Sequence, residues 1–334
     1  MTWVIWRQYR VTAAIAGAIL AAFAVLFLIS GLQDAARWHA ALANCTRAGT
    51  CGNLSQLVSL TTGPVDGPVY TLTILTLAVP LLFGMFWGSP AVARERETGT
   101  VQFAWTQSVT RRHWLSVKTG WLLLAGAVFG GAVAGIVTWW YAPLNALNQN
   151  QFGQGYFDIQ GIVPIGYAVF AVALGIAAGA LIGRTLPALA VTAGVFLAVR
   201  LVITYWVRVH YLAAVTTIYS VTQNFAPKGA YWSLAQGTVL PGGQFTTNLS
   251  VGPGHIISGF AGPDVPASCQ VPGQGPGNIT STITCMARLG YRSFTTYQPG
   301  YRFWPFQFIE TGIFVALAAA LIVVTLFALR RRDA

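Results

Sequence analysis

Six apolar runs leave this chain few ways to fold. They cover residues 11–31, 69–88, 119–141, 163–183, 186–206 and 304–329, and a helix needs about 20 mainly apolar residues to cross the hydrocarbon of a bilayer. The last run is the cleanest: residues 312–329 carry no charge, and Arg330, Arg331 and Arg332 follow. The fifth is interrupted by Arg200. Composition points the same way. The 334 residues are 55% hydrophobic and only 8% charged, with a mean hydropathy of +0.60. Soluble domains carry about 25% charged residues, so lipid must cover much of this surface. The expected fold class is an all-α polytopic membrane protein with six transmembrane helices and an extracellular insert between helices 5 and 6.

Orientation follows from the basic residues. With the N-terminus inside, Arg7, Arg10, Arg94, Arg96, Arg111, Arg112, Lys118, Arg184 and the three terminal arginines are cytoplasmic, which is 11 of the 19 Lys and Arg residues in short loops. That satisfies the positive-inside rule and places both termini in the cytoplasm. The Arg-over-Lys and Ala/Gly bias points to a high-GC bacterial genome, and the expected location is the bacterial cytoplasmic (inner) membrane. The first run is too long for a signal-peptide core, and the small-residue pattern ending at Ala43 lies too far downstream, so it reads as an uncleaved span. The net charge of +11 sits beside the spans and not along a soluble face, so no nucleic-acid partner is expected.

The cysteines agree with this topology. Cys45 and Cys51 fall in the first outside loop, and Cys269 and Cys285 in the last. Disulfides persist on that side of a bacterial membrane, and pairing within each loop gives Cys45–Cys51 and Cys269–Cys285. No histidine stands near either pair at zinc-site spacing, so no metal is expected. The resulting division is 1–206 for an interfacial helix and spans 1–5, including a cytoplasmic segment 92–118; 207–303 for an outside loop domain; and 304–334 for span 6 and a basic tail. Within the loop domain, 207–223 reads as an interfacial helix, 278–284 alternates like a strand, and Pro241, Gly242 and Gly243 read as a turn. Gly175, Gly179 and Gly183, Gly126 and Gly130, and Gly131 and Gly135 recur at four-residue spacing, which lets helix backbones approach closely.

The segment between the second and third spans gathers seven charges: Arg94, Glu95, Arg96, Glu97, Arg111, Arg112 and Lys118. From residue 100 to 112 a helix would align Val101, Ala104, Trp105, Ser108 and Val109 on one stripe. Such a stripe docks in headgroups or in a partner's groove.

Arg94-Glu95-Arg96-Glu97-Thr98-Gly99-Thr100 after an apolar span, followed by a short helix, the basic pair and Lys118, resembles the permease subunits of ABC-2 type transporters. Residues 3–10 resemble the family's interfacial helix, and residues 301–310 resemble the start of its last span in a high-GC bacterial branch. A proline common before the basic pair is replaced by Gln107-Ser108-Val109-Thr110. The resemblance implies a coupling helix that touches a cytoplasmic ATP-binding subunit, present in two copies. The implied contact residues are Arg94, Glu95, Arg96, Glu97, Gly99, Thr100, Trp105, Arg111, Arg112 and Lys118. It also implies a second permease subunit, in a homodimer or heterodimer, and export by alternating access. A large apolar cavity lined by aromatics such as Phe83, Phe86 and Trp87 would favour amphipathic or lipid-like cargo; the expected substrate is amphipathic, drug-like, peptide or lipid-like.

No P-loop is present, because Lys118 and Lys228 are the only lysines and neither follows a glycine. No cofactor is expected in this chain; ATP and Mg belong to the partner, and the chain itself is not an enzyme. Two intramembrane charges stand out. Arg200 is about 24 Å along a helix from Arg184, and Glu310 about 30 Å from Arg330. Their matching depth predicts a polar pair, or a network shared with Gln307. The competing readings are a sensor or immunity complex on the same scaffold without bulk transport, and a polytopic membrane enzyme using groups such as His255 and Asp264.

Overall fold

The computed structural model describes residues 2–48, 68–97, 111–148, 152, 155–223, 225, 231–247, 249–252, 255–258, 265–269 and 276–332. Gly99, Thr100, Trp105, the stripe around them, Cys51 and Asp264 lie outside these residues. The side chains of Cys45, Arg111 and Arg112 do too.

Among the described residues, six helices are long and apolar enough to cross a membrane. Span 1 is Ala13–Gln33, span 2 Ile74–Glu97, span 3 Ser116–Ala142, span 4 Val163–Ile182, span 5 Thr185–His210 and span 6 Gly300–Ala328. The chain divides into two compact units. One holds the spans, Met1–Asn148, Gly153–Arg208 and Trp304–Ala334; the other holds Gln149–Phe152 and Val209–Phe303.

Span 4 is the axis of the first unit. In its most apolar stretch 78% of the residues are buried, against 6% in span 1. Its small residues explain this. A Cβ added to Gly175 would lie 2.5 Å from the Gly84 carbonyl oxygen, and one on Gly179 would lie 2.5 Å from the Ser89 oxygen. The reciprocal glycines on span 2 are equally tight, Gly84 against Ala171 and Gly88 against Val172. Spans 2 and 4 therefore touch backbone to backbone, in the manner small residues permit. On span 3, Gly130 meets Ala168 and Pro164, and Gly126 meets Val172. Gly131 and Gly135 make no such approach: the nearest atom to a Cβ on Gly131 is 3.7 Å away, and nothing lies within 4 Å of Gly135. Gly183 matches the span 4 stripe in spacing alone. It caps the helix at φ 71 and donates its N–H to Gly179 O, the left-handed C-terminal role of glycine.

Two spans contain a π turn, Gly84–Gly88 in span 2 and Ile203–Val207 in span 5. The first precedes Pro90, which has no N–H to give to an α-helical ladder. Span 1 leans on span 3, where Phe27, Val133, Val137, Trp140 and Tyr141 form one buried cluster and Trp140 Nε1 donates to Ser30 Oγ at 3.0 Å.

The second unit is mainly sheet. Strands β1 (Val215–Ser220), β2 (Tyr231–Val239), β3 (Phe245–Thr246) and β6 (Arg292–Pro299) form an antiparallel sheet in the order β1-β6-β2-β3, and β4 (Leu249–Gly252) pairs with β5 (His255–Ser258). The Pro241–Gly243 turn joins β2 to β3, with Gly243 at φ 81. Two local expectations are corrected. Residues 207–223 do not form an interfacial helix: after a short 3-10 turn, Arg208–His210, the β-branched run Val215-Thr216-Thr217-Ile218 pairs with β6, as such residues favour. Residues 278–284 are not a strand but part of the helix Pro276–Arg288. Ile279, Ile283 and Met286 recur at four and three residues, a helical period, and Ile283 and Met286 are buried with Val221 and Cys269. A disulfide between Cys269 and Cys285 fastens this helix to the turn Ala267–Cys269.

Candidate functional site

Polar side chains gather at both ends of the spanning unit. The basic end holds the last residues of span 2. After Pro90 the helix Pro90–Glu97 continues span 2 past its apolar stretch. Ala93 is buried against Ala178 and Ala188, and Ser89 Oγ lies 2.9 Å from Thr192 Oγ1 on span 5. Three of the charges that follow each meet a different span. Glu95 Oε1 is 2.6 Å from Lys118 Nζ on span 3. Arg96 Nη1 donates to Ala180 O at the end of span 4, with its guanidinium beside Gly183. Glu97 Oε1 accepts the Thr185 N–H at 2.8 Å, and Oε2 accepts the Thr185 hydroxyl at 2.6 Å. Thr185 opens span 5, so Glu97 satisfies a donor that a helix start leaves without an intrahelical partner, and places negative charge at the positive end of the helix dipole. Lys118 is 1% exposed although it is charged; a buried ammonium is tolerated where a carboxylate faces it. Arg94, Arg96 and Glu97 keep solvent-exposed surface.

The far end holds a sealed cluster. Arg208, near the end of span 5, lies 24 residues beyond Arg184, about 36 Å along the helix. Arg208 donates from Nε to Glu310 Oε2 at 2.8 Å and from Nη2 to Glu310 Oε1 at 2.7 Å, and Nη2 also donates to Asp158 Oδ1. The hydroxyl of Tyr167 reaches Asp158 Oδ1 at 2.9 Å and Glu310 Oε1 at 2.5 Å. Arg200 lies 3.5 Å from Asp158 Oδ2, 4.3 Å above the Tyr167 ring, and donates to Leu77 O. Gln307 accepts the Ile162 and Val163 N–H groups and donates to Phe157 O, pressed against Gly161. The connector between spans 3 and 4 is thereby bound to spans 4, 5 and 6. Two guanidiniums balance two carboxylates, and Glu310, Gln307, Arg208 and Asp158 are all buried. Burial by itself raises the Asp158 carboxyl; Arg208, Arg200 and Tyr167 outweigh it and hold it below the ordinary carboxylate value.

The expected Arg200–Glu310 pair is therefore corrected in its partners. Glu310 takes Arg208, Arg200 takes Asp158, and Tyr167 stands between them; Gln307 serves the backbone of the connector. Sequence reading missed Asp158, Tyr167 and Arg208, ending span 5 at residue 206 and leaving Arg208 in the loop. In an unbroken α-helix, Arg200 and Arg208 would point about 80° apart; one extra residue in the π turn Ile203–Val207 brings them within about 20°. Asp158, one of 8 acidic residues in the chain and the only one between spans 3 and 4, was the available signal. Among the described residues no group of His, Cys, Asp and Glu is arranged to hold a metal.

Six apolar helices packed through the glycines of spans 2, 3 and 4, with the ion pairs seen among the described residues tying spans 2, 3, 5 and 6 to their neighbours and to the 156–159 connector, define a multi-pass helical membrane protein. A family model described as ABC-2 membrane transporter related matches residues 17–208, more than half of the chain, and the chain belongs to that family of membrane transport components. No curated protein and no solved structure matches it.

Proposed function

We propose that this chain is the membrane-spanning permease subunit of an ATP-driven ABC exporter of the bacterial cytoplasmic membrane. In this reading both termini and the basic end face the cytoplasm. Two copies of a separate ATP-binding subunit supply ATP and Mg, and a second permease subunit completes the path. The 209–303 insert faces outward, where its disulfide is stable.

One observation carries the reading. Three successive charges, Glu95, Arg96 and Glu97, tie the end of span 2 to spans 3, 4 and 5. A force applied by a partner to residues 98–110 therefore enters three spans at once. A simple basic anchor needs no such division of contacts. ATP binding closes the ATPase pair, the 94–112 segment moves with it, and the spans rearrange to release an amphipathic, drug-like, peptide or lipid-like cargo outward.

The test is purification of the tagged chain from its native membrane in mild detergent, followed by partner identification and an ATPase assay. A stoichiometric ATP-binding subunit, with ATPase activity weakened by Glu97→Ala, supports the reading. A chain that purifies alone and without ATPase activity overturns it.

A further inference from the structure

Arg200 and Asp158 leave hydrogen-bonding capacity unused, and they leave it at one shared place. A guanidinium has five N–H donors. Among the described residues Arg200 makes one hydrogen bond, from Nη1 to Leu77 O at 3.3 Å. Its approach to Asp158, Nη2 to Oδ2, is 3.5 Å, beyond the range of a good N–H···O bond. Asp158 Oδ1 accepts from the Tyr167 hydroxyl and from Arg208 Nη2, whereas Oδ2 has only the distant Arg200. Both side chains line one cavity among spans 2, 3, 4 and 5. The space open there to the centre of a water molecule is about 10 Å³. Thr76 and Pro80 of span 2 stand in its wall. Pro80 has no N–H to give, so the Thr76 hydroxyl is the polar side chain that span 2 brings.

We propose that this cavity is a binding site for one ordered water that bridges Arg200 and Asp158 Oδ2. Size and chemistry both select water. A space of about 10–15 Å³ for its centre holds a single molecule. The two charged groups ask for a ligand that donates to one and accepts from the other. Water gives an O–H to Oδ2 and takes an N–H from Arg200, and the Thr76 hydroxyl, which can donate or accept, offers a third partner. Buried waters make about three such bonds. An anion there faces the Asp158 carboxylate and a cation faces the Arg200 guanidinium, so either ion meets a like charge at close range in a medium that screens little. An apolar group leaves both charges without the bonds they lack, which is costly in an interior. A bridging water is nearly as favourable as a direct bond. It ties span 5 to the 156–159 connector where the direct reach of Arg200 falls short. The inference needs only the membrane-spanning bundle and stands apart from the transport reading.

The test is hydroxyl-radical footprinting of the full chain in lipid nanodiscs, in water enriched in the heavy oxygen isotope. Brief X-ray irradiation makes radicals from bound water in place, and mass spectrometry maps the heavy oxygen added to the side chains beside it. The expected result is labelling of Pro80, Val133 and Ile159, which line the cavity, several-fold above Phe170, Ile176 and Phe314, which are equally buried and lie away from it. Thr76→Ile fills the cavity and removes the hydroxyl, and lowers that labelling several-fold. Arg200→Met keeps the bulk, removes the donors and gives the same loss. Val195→Ile, on the exposed side of span 5, leaves the labelling unchanged. Steady labelling of Phe170 and Phe314 in each variant shows that the bundle is intact. Cavity residues labelled no more than Phe170 overturn the proposal, as does cavity labelling that survives both Thr76→Ile and Arg200→Met. Labelling that falls when bromide replaces a bulky anion also overturns it, by naming an anion as the occupant.

Discussion

The two ends of the spanning unit solve one problem in opposite ways. Each ties together segments distant in sequence by means of charge. At the far end the participants are enclosed except for Arg200, whose side chain is 12% exposed: Glu310 and Gln307 are 0% exposed and Arg208 is 3% exposed. At the basic end Lys118 is enclosed, but Arg94, Arg96 and Glu97 stay open to solvent on one side. A sealed network leaves no room for exchange. Opening it strands charge in a low-dielectric interior, a cost of several kcal/mol per ion. A half-open network can release one partner to water at little cost. The difference suggests that the far end holds the architecture, while the basic end is where a state can change.

Arg208→Ala gives the harshest test of that contrast. It leaves Asp158 and Glu310 buried without their shared guanidinium, and should destabilise the protein by about 3–5 kcal/mol. The readout is a large drop in thermal midpoint in detergent. The paired reversal Arg208→Glu with Glu310→Arg should recover part of what either reversal loses, whereas Arg200→Glu with Glu310→Arg should not. Equal recovery by both pairs would dissolve the assignment of partners.

Cys269→Ser with Cys285→Ser acts at neither end. Opening a loop with a sequence separation of 16 should cost about 3 kcal/mol, read as earlier proteolysis of the 209–303 insert while the spans keep their melting behaviour. Gly179→Leu drives a side chain into the Ser89 carbonyl and should cost about 1–3 kcal/mol by overpacking, seen as a lower midpoint and looser association of spans 2 and 4 in disulfide cross-linking. Lys118→Met should cost less than Arg208→Ala, because Glu95 keeps 15% of its side-chain surface exposed. Glu97→Ala is the smallest in stability and the sharpest in function. Its midpoint should stay close to that of the parent while ATPase stimulation by the complex falls. A midpoint loss as large as that of Arg208→Ala would erase the distinction between the two ends.

Much of this was legible in the residues. The spans were, because about 20 apolar residues in a row have one stable fate in a bilayer. The spacing of Gly175 and Gly179 announced a close helix contact, and the charges at 94–97 stood out between two apolar runs. The partners of those charges were not legible. Nothing local says that Glu95 meets span 3 while Glu97 meets span 5, since both depend on which helices stand around span 4. Arg208 was hidden for a different reason. The apolar run ends at residue 206, two residues short of it, and only the π turn before it brings it onto one face with Arg200. The helix 276–288 was misread because threonines spaced between isoleucines alternate in polarity like a strand, although Ile279, Ile283 and Met286 carried the helical period.

The sequence by itself determined that this chain crosses a membrane six times and concentrates charge between spans 2 and 3. Apolar length and charge density act locally, so no knowledge of neighbours is required. The tertiary structure decided which charge answers which. It set span 4 at the centre, placed Arg208 between Asp158 and Glu310, and left a water-sized cavity beside Arg200. Those outcomes depend on how closely glycine-lined backbones approach and on one extra residue in a turn, which are properties of packed helices together and of no single segment.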